Sequence, residues 1–294
     1  MSHLISAIIP FSENQPVSDT NLASLLNQLR FFDAEVILVN FSRKETSASL
    51  NERYSSADLP IREVESRVKG APAAALNQGI KSADGEYLLL LHPAFTVHPE
   101  SLELMIDYMQ GDRSIGLMVP QMVTAGGAII ANCHRFPTHK DVLARALGIH
   151  ELFPRSRFWN GWQMGDFSHQ DIRQVEDAQA DAWLISSAAW AQTGPFDENF
   201  LHDYYDTDWC HRLRDAGYII LFYPQAKVIA TGHEEAEHLV RRRVSLFRLF
   251  DKYYDGVHHQ ILNLLVGLVI YLALPLQLLW RGLQNLFPRS RKDG

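Results

Sequence analysis

The sequence predicts an α/β fold, a mostly parallel sheet flanked by helices, with a membrane-associated helix near the C-terminus. Three observations carry this. Short continuous apolar runs, such as LISAIIP from Leu4 and EVILV from Glu35, recur through the first part of the chain. Helix-like segments separate them. Residues 261–280, ILNLLVGLVIYLALPLQLLW, carry no charge.

The apolar runs suit strands buried on both faces, because a strand covered by helices on each side has no solvent face to alternate toward. EYLLLL from Glu86 and IGLMVP from Ile115 extend the series. Helices are expected over 21–30, where Asp19 or Thr20 can cap the first turn, and over 73–82 and 99–109. This β-α-β-α order implies parallel pairing, and such sheets bind ligands at the C-terminal ends of their strands. Further on, strands are expected around Val175 and from Ala182. A helix over DTDWCHRLRDAGY follows, which Gly217 would stop. LFYP and AKVIA read as final short strands, and 237–254 as a basic amphipathic helix.

Residues 124–174 are less regular and rich in aromatics, among them Phe153, Phe158, Trp159, Trp162 and Phe167. They read either as a surface excursion with its own apolar cluster or as an acceptor-binding region. The hexapeptide LFPRSR occurs at Leu152 and again at Leu286, but the flanks differ, so it is no repeat.

At ~1.5 Å per residue the uncharged segment reaches about 30 Å, the thickness of a bilayer core. Basic residues flank it on both sides, which leaves orientation undetermined, and Pro275 interrupts it. An interfacial helix is preferred over a spanning one. The expected organisation is one α/β domain over 1–236, a basic amphipathic connection over 237–256, and the apolar helix with a basic tail over 257–294.

The chain has 294 residues and a net charge of −7. From Arg241 onward there are nine Lys/Arg against three Asp/Glu, which leaves −13 on the remainder. An acidic body excludes nucleic acid as its partner, whereas a basic tail suits anionic lipid. Cys133 and Cys210 have no metal-type spacing and suit a reducing compartment. The N-terminus lacks a basic region ahead of its short apolar run and reads as a first strand, not a signal peptide.

The strand ends hold the polar residues of interest. Pro10, Phe11 and Glu13 follow the first strand, and Asn40 and Ser42 follow the second. Arg67 and Lys69 precede an Ala-rich helix start that carries Asn77, and His92 ends EYLLLL. Small residues at a helix start let a phosphorylated ligand approach the backbone.

In order, the segments EVILVNFS, RVKGAPAAALNQG, LLLHPAF, CHRFPT, GPFDENF and YDTDWCHRLRDAG resemble glycosyltransferase family 2, an inverting GT-A group with a Rossmann-like fold. The resemblance is nearest to its bacterial rhamnosyltransferase-like branch and runs from about Ile5 to Tyr254. It implies a nucleoside-diphosphate sugar donor, a carboxylate base and a divalent metal, Mg or Mn, on the departing diphosphate. The base must lie near the attacking hydroxyl, and the diphosphate needs positive charge. Carried over, Asp206 matches the base, and Asp208 lies two residues on. Without the family, both read as helix N-terminal caps.

Four positions depart from the pattern. Tyr205 replaces a Glu, Asn40 replaces the Asp expected to read the nucleotide base, and Ala94 replaces the metal-binding Asp. Ala230-Thr231 replaces a His pair, with His233 nearby. His92 is the one metal candidate left, and it favours transition metals. Arg67, Lys69, His233 or 241–243 are candidate cations without metal. The expected substrate-binding set is therefore Pro10, Phe11, Glu13, Asn40, Ser42, Arg67, Asn77, His92, Asp208 and His233.

The resemblance implies an inverting transfer onto a glycan acceptor, lipid-linked, in bacterial surface polysaccharide synthesis. The expected place is the cytoplasmic face of the inner membrane, beside polysaccharide-assembly proteins. The alternative is a catalytically degenerate scaffold subunit.

Overall fold

A computed structural model describes residues 4–42, 59–200, 203–231, 239–254, 261–264 and 266–268. The chain begins with β1 (Ile5–Phe11), α1 (Asp19–Leu29), β2 (Ala34–Asn40), β3 (Ile61–Glu65) and α2 (Pro72–Lys81). It continues through β4 (Tyr87–Leu91), β5 (Phe95–Val97), α3 (Ser101–Gly111) and β6 (Ile115–Thr124). Short elements follow: β7 (Ile129–Ile130), β8 (Cys133–His134), α4 (His139–Ala146) and α5 (Ile149–Leu152). Then come β9 (Arg173–Val175), β10 (Asp177–Ala178), β11 (Ala182–Ser186) and α6 (Ser187–Thr193). The last are α7 (Tyr205–Asp215), β12 (Ile219–Ala230) and α8 (Leu239–Tyr253).

The main sheet runs β3-β2-β1-β4-β11-β6-β12-β5. Its first four strands are parallel, as expected. β11 then enters antiparallel between β4 and β6, so the whole sheet is mixed. The segments LFYP and AKVIA are not separate strands. They form one strand, β12, whose register with β6 jumps between Tyr223 and Lys227. β3 and α4 were not foreseen. β3, at the sheet edge, has only half-buried and exposed residues, so it lacks the apolar run that marks the inner strands.

β1, β2 and β4 are buried almost throughout. Helix α2 lies close on β1 and β2 at Gly79, where a Cβ would come 2.5 Å from Ile8 Cγ2 and 2.8 Å from Val39 Cγ2. Only hydrogen fits there, which fixes the helix against the sheet. Asn21 is buried in α1 and donates to Pro93 O and Thr231 Oγ1, both at 2.8 Å. Gly217 stops α7 as expected, at φ +89°.

Two compact units emerge, and they do not follow the chain in sequence. One contains Met1–Phe136 and Phe167–Ala236, the other Pro137–Asp166 and Glu237–Gly294. Residues 137–166 thus leave the expected 1–236 domain. In the second unit, Thr138 and Asp141 form a capping box that starts α4. His139 next to them stacks edge-on against Phe250 and Tyr254 of the α8 region, with centroids 4.9 and 4.8 Å away. Its Nε2 lies 2.6 Å from Asn263 Oδ1. These contacts tie His139 to residues more than 100 positions away, which no local sequence pattern could show.

Among the described residues no helix is long and apolar enough to cross a membrane. Most of the expected membrane helix, 261–280, lies outside the described residues, as does His233.

Candidate active site

The parallel strands present their C-terminal ends along one edge. Pro10 and Phe11 end β1, with Phe11 buried and Glu13 exposed beyond it. Asn40 and Ser42 follow at the end of β2, both buried. Backbone bonds tie the next loops to this edge. Phe41 N–H donates to Phe11 O at 3.0 Å, and Gly70 N–H donates to Phe41 O at 2.8 Å. The loop carrying Arg67 and Lys69 therefore sits at the end of β2, and both side chains are exposed. Lys69 pairs with Glu65 four residues earlier.

Asn40 is held by its own surroundings. Its Nδ2 donates to Glu65 Oε1 at 2.8 Å, and its Oδ1 accepts the Ser42 N–H at 3.0 Å. The Asn thus folds the strand end into a turn.

At the end of β4, His92 N–H donates to Asp181 O at 2.7 Å. Asp181 precedes β11, so the antiparallel entry of that strand delivers a carboxylate to the strand-end edge. Asp181 lies close enough to raise the Asp206 carboxyl electrostatically. Helix α7 begins one residue before Asp206, after Tyr204, which adopts a left-handed conformation at φ +66°. A bulky non-glycine residue there is strained, and such strain gathers at functional sites.

Asp206 is half-buried. Burial is the main influence, and with the charges of Asp181 and Asp203 it pushes the carboxyl up to about 7. Backbone N–H groups of Thr207 and Ala180 oppose this. The Thr207 bond measures 2.9 Å to Asp206 Oδ1. A carboxyl poised near neutrality, at a strand-end edge, is suited to accept a proton.

A buried layer supports it. Asp177 in β10 is buried, and its Oδ2 accepts the Thr207 hydroxyl at 2.9 Å. Burial first, then the charge of Asp206, pushes Asp177 well above the usual carboxylate range. Cys210 and Cys133 are buried free thiols, both pushed up by burial and by Asp177. The CHRFPT segment packs here through Phe136, stacked on His211 with centroids 3.3 Å apart. Burial and Arg214 push His211 down to about 4, so it is a neutral ring at pH 7.

Two expected site residues have other duties. Asn77 lies within α2 and clamps the GPFDENF loop: its Nδ2 donates to Phe196 O and Glu198 Oε1, and its Oδ1 accepts Phe196 N–H, all at 2.9 Å. Asp208 is fully buried and holds Arg212 Nε at 3.0 Å. Arg212 in turn donates to Thr193 O and Pro195 O, both at 2.8 Å. Trp209 Nε1 adds a 2.9 Å bond to Gly194 O. Asp208 therefore fastens α7 to this loop and does not face the strand-end edge. Helical spacing explains it, since two residues rotate a side chain by about 200° from Asp206.

Among the described residues the donors present do not fit a divalent metal. The position expected to supply its carboxylate is Ala94, and Ala94 O accepts both the backbone N–H of Thr231 at 2.9 Å and its hydroxyl at 2.8 Å. The position expected to supply the metal carboxylate thus bonds, through its backbone, to the position where a His pair was expected. His92 Nδ1 accepts the Ala94 N–H at 3.2 Å, which leaves the proton on Nε2 in that tautomer. Among the described residues no group of three His, Cys, Asp or Glu side chains could hold a metal ion.

Asp181, Asp203 and Asp177 were missed in the sequence. Asp181 carried one signal, an acidic residue directly before an apolar strand. Asp177 carried none, because only the β8–β10 pairing places it under α7.

The sequence profile of glycosyl transferase family 2 matches residues 6–156. An N-acetylglucosaminyl-diphospho-decaprenol L-rhamnosyltransferase of Mycobacterium tuberculosis is 22% identical over 171 residues, covering 55% of this chain and 54% of that protein. This chain spans about half the length of the curated relatives it matches. A mannosyltransferase from Pyrobaculum calidifontis, solved with GDP-Man and Mn2+, superposes with a TM-score of 0.58 at 15% identity, covering 94% of this chain and 75% of that one. S. aureus TarS 1–349 with UDP-GlcNAc gives 0.55 at 14% identity, covering 88% and 70%. At these identities the superpositions show a shared GT-A-like α/β fold.

Proposed function

This chain belongs to glycosyl transferase family 2, and on that premise we propose that it moves a sugar from a nucleoside-diphosphate sugar to a glycan acceptor. Asp206 is the base. The observation that carries this is its placement: half-buried beside Asp181 at the end of β4, with its carboxyl pushed up to about 7.

The acceptor hydroxyl gives its proton to the Asp206 carboxylate as its oxygen attacks the anomeric carbon. The bond from that carbon to the diphosphate breaks, the electron pair leaves on the diphosphate, and configuration inverts. Thr207 N–H holds Asp206 Oδ1 during this step. No step is routed through a metal, because Ala94, at the position expected to supply its carboxylate, has no ligand side chain.

The rhamnosyltransferase relative is named for an acceptor on a polyprenyl diphosphate. That name, with the uncharged segment 261–280, supports a lipid-linked acceptor and a place on the cytoplasmic face of the membrane. Deleting 261–294 should then release the protein from membranes, and continued binding would move the anchor elsewhere.

One observation favours a second reading, a scaffold subunit that binds without transferring. It is the loss of the metal-binding Asp at Ala94 together with the loss of the expected His pair at Ala230-Thr231. Titration with a panel of nucleotide sugars, followed by thermal shift, separates the two. Stabilisation by one donor, with transfer lost in Asp206→Asn but donor binding kept, supports the enzyme. No shift with any donor sinks it.

A further inference from the structure

The second compact unit differs from the first in charge and in exposed surface. It carries 13 Lys/Arg against seven Asp/Glu, whereas the first carries 14 against 27. Sixteen large hydrophobic side chains stand exposed among the described residues, and ten of them belong to this smaller unit. Single exposed apolar residues need no explanation, but a concentration of them does.

Four of the ten lie within 147–158. Leu147 is 69% exposed, Leu152 75%, Phe153 51% and Phe158 59%. The chain leaves α5 in a run, Leu152-Phe153-Pro154-Arg155-Ser156-Arg157-Phe158, in which both arginines are exposed too. Glu151 is the acidic residue next to it in sequence, and Asp141 pairs with Lys140 at 3.2 Å. Lys140 of α4 closes the run, with its ammonium 4.4 Å over the Phe158 ring and a hydrogen bond to Phe158 O. The same hexapeptide, LFPRSR, recurs from Leu286 in the basic tail.

We propose that residues 147–158 are a docking loop for an anionic phospholipid surface. Leu152, Phe153 and Phe158 enter the boundary between headgroups and acyl chains. Arg155 and Arg157 meet lipid phosphates, and Lys140 stands behind them. Apolar side chains next to guanidinium groups match that boundary, where one partner layer is greasy and the other anionic. The two exposed arginines of the run, with the net positive charge of this unit, favour an anionic lipid surface over a neutral one. The loop is a contact separate from 261–280, and the proposal does not rest on sugar transfer.

The test uses the full chain with Phe153→Cys, labelled with an environment-sensitive fluorophore. Cys133 and Cys210 are buried, so the label goes to position 153. With vesicles of phosphatidylcholine and phosphatidylglycerol, the emission should brighten and move to the blue. With phosphatidylcholine alone it should change little. A label at Ile129→Cys, exposed in the first unit, should stay water-like throughout. Adding Arg155→Ser and Arg157→Ser should weaken the response to anionic vesicles roughly tenfold to thirtyfold. A water-like label at 153 while the chain sediments with the vesicles would overturn the proposal, because another segment then docks alone. So would failure to bind anionic vesicles at all. A shift that tracks protein concentration without lipid would give the loop to a second copy of the chain.

Discussion

Thr207 donates in two directions: its hydroxyl to Asp177 Oδ2 and its backbone N–H to Asp206 Oδ1, both at 2.9 Å. One residue thus joins a buried carboxyl to the proposed base. The first turn of α7 is fixed from below by a group that never meets solvent. The position of Asp206 follows from this anchor as well as from its place in the helix.

Replacing Thr207 by Val keeps the shape and removes the hydroxyl. It leaves the buried Asp177 without that bond, at a cost of about 1–3 kcal/mol. Denaturant unfolding should show the loss, and Thr207→Ser should restore most of it. Equal stability of the Val and Ser variants would mean the bond contributes little.

Transfer should depend on pH through Asp206. The base acts only when ionised, so the rate should rise with pH and reach half its plateau near the value of about 7. A plateau already complete at pH 5 would remove Asp206 from that role.

Stability should run the other way. The folded-state value of about 7 lies above the ordinary 3.8, so the folded chain binds more protons than the unfolded one between them. Stability therefore falls as pH rises through that window. The buried Asp177, raised in the same direction, extends the loss to higher pH. Asp206→Asn removes the Asp206 part. It should melt higher than the unsubstituted chain above pH 7, with the difference vanishing below about pH 4. A variant that melts lower at alkaline pH would contradict the sign.

Asp208→Ala should act on the fold. It leaves Arg212 without its buried partner, at a cost of about 2–4 kcal/mol. The GPFDENF loop, held by Arg212 at Thr193 O and Pro195 O, should become more open to proteolysis. Donor affinity of the folded fraction should change little. A large loss of affinity without loss of stability would return Asp208 to the binding set.

Manganese alone should not stabilise the unsubstituted chain, since Ala94 offers no ligand side chain. Ala94→Asp should introduce a manganese-dependent thermal shift. A shift of several degrees in the unsubstituted chain would require ligands other than Ala94, Thr231 and His92.

The sequence by itself determined the strands β1, β2, β4 and β6 and the helices between them. Their order and buried runs specify strands of one direction with helices between them, while the antiparallel β11 that makes the whole sheet mixed was not legible. The sequence also singled out Asp206 as the candidate base and showed the loss of a ligand atom at Ala94, since both are matters of residue identity at a motif position. Only the tertiary structure decided what the neighbouring polar residues do. Asn77 and Asp208 stood in the expected substrate-binding set, yet Asn77 bonds directly to the loop after α6, and Asp208 holds Arg212, which bonds that same loop. The antiparallel insertion of β11 brings Asp181 to His92, and the β8–β10 pair brings Asp177 under Thr207. These partners stand 30 residues or more apart in the chain. Local pattern cannot specify such pairs, because side-chain direction and strand pairing, and with them burial and charge proximity, exist only once the sheet has formed.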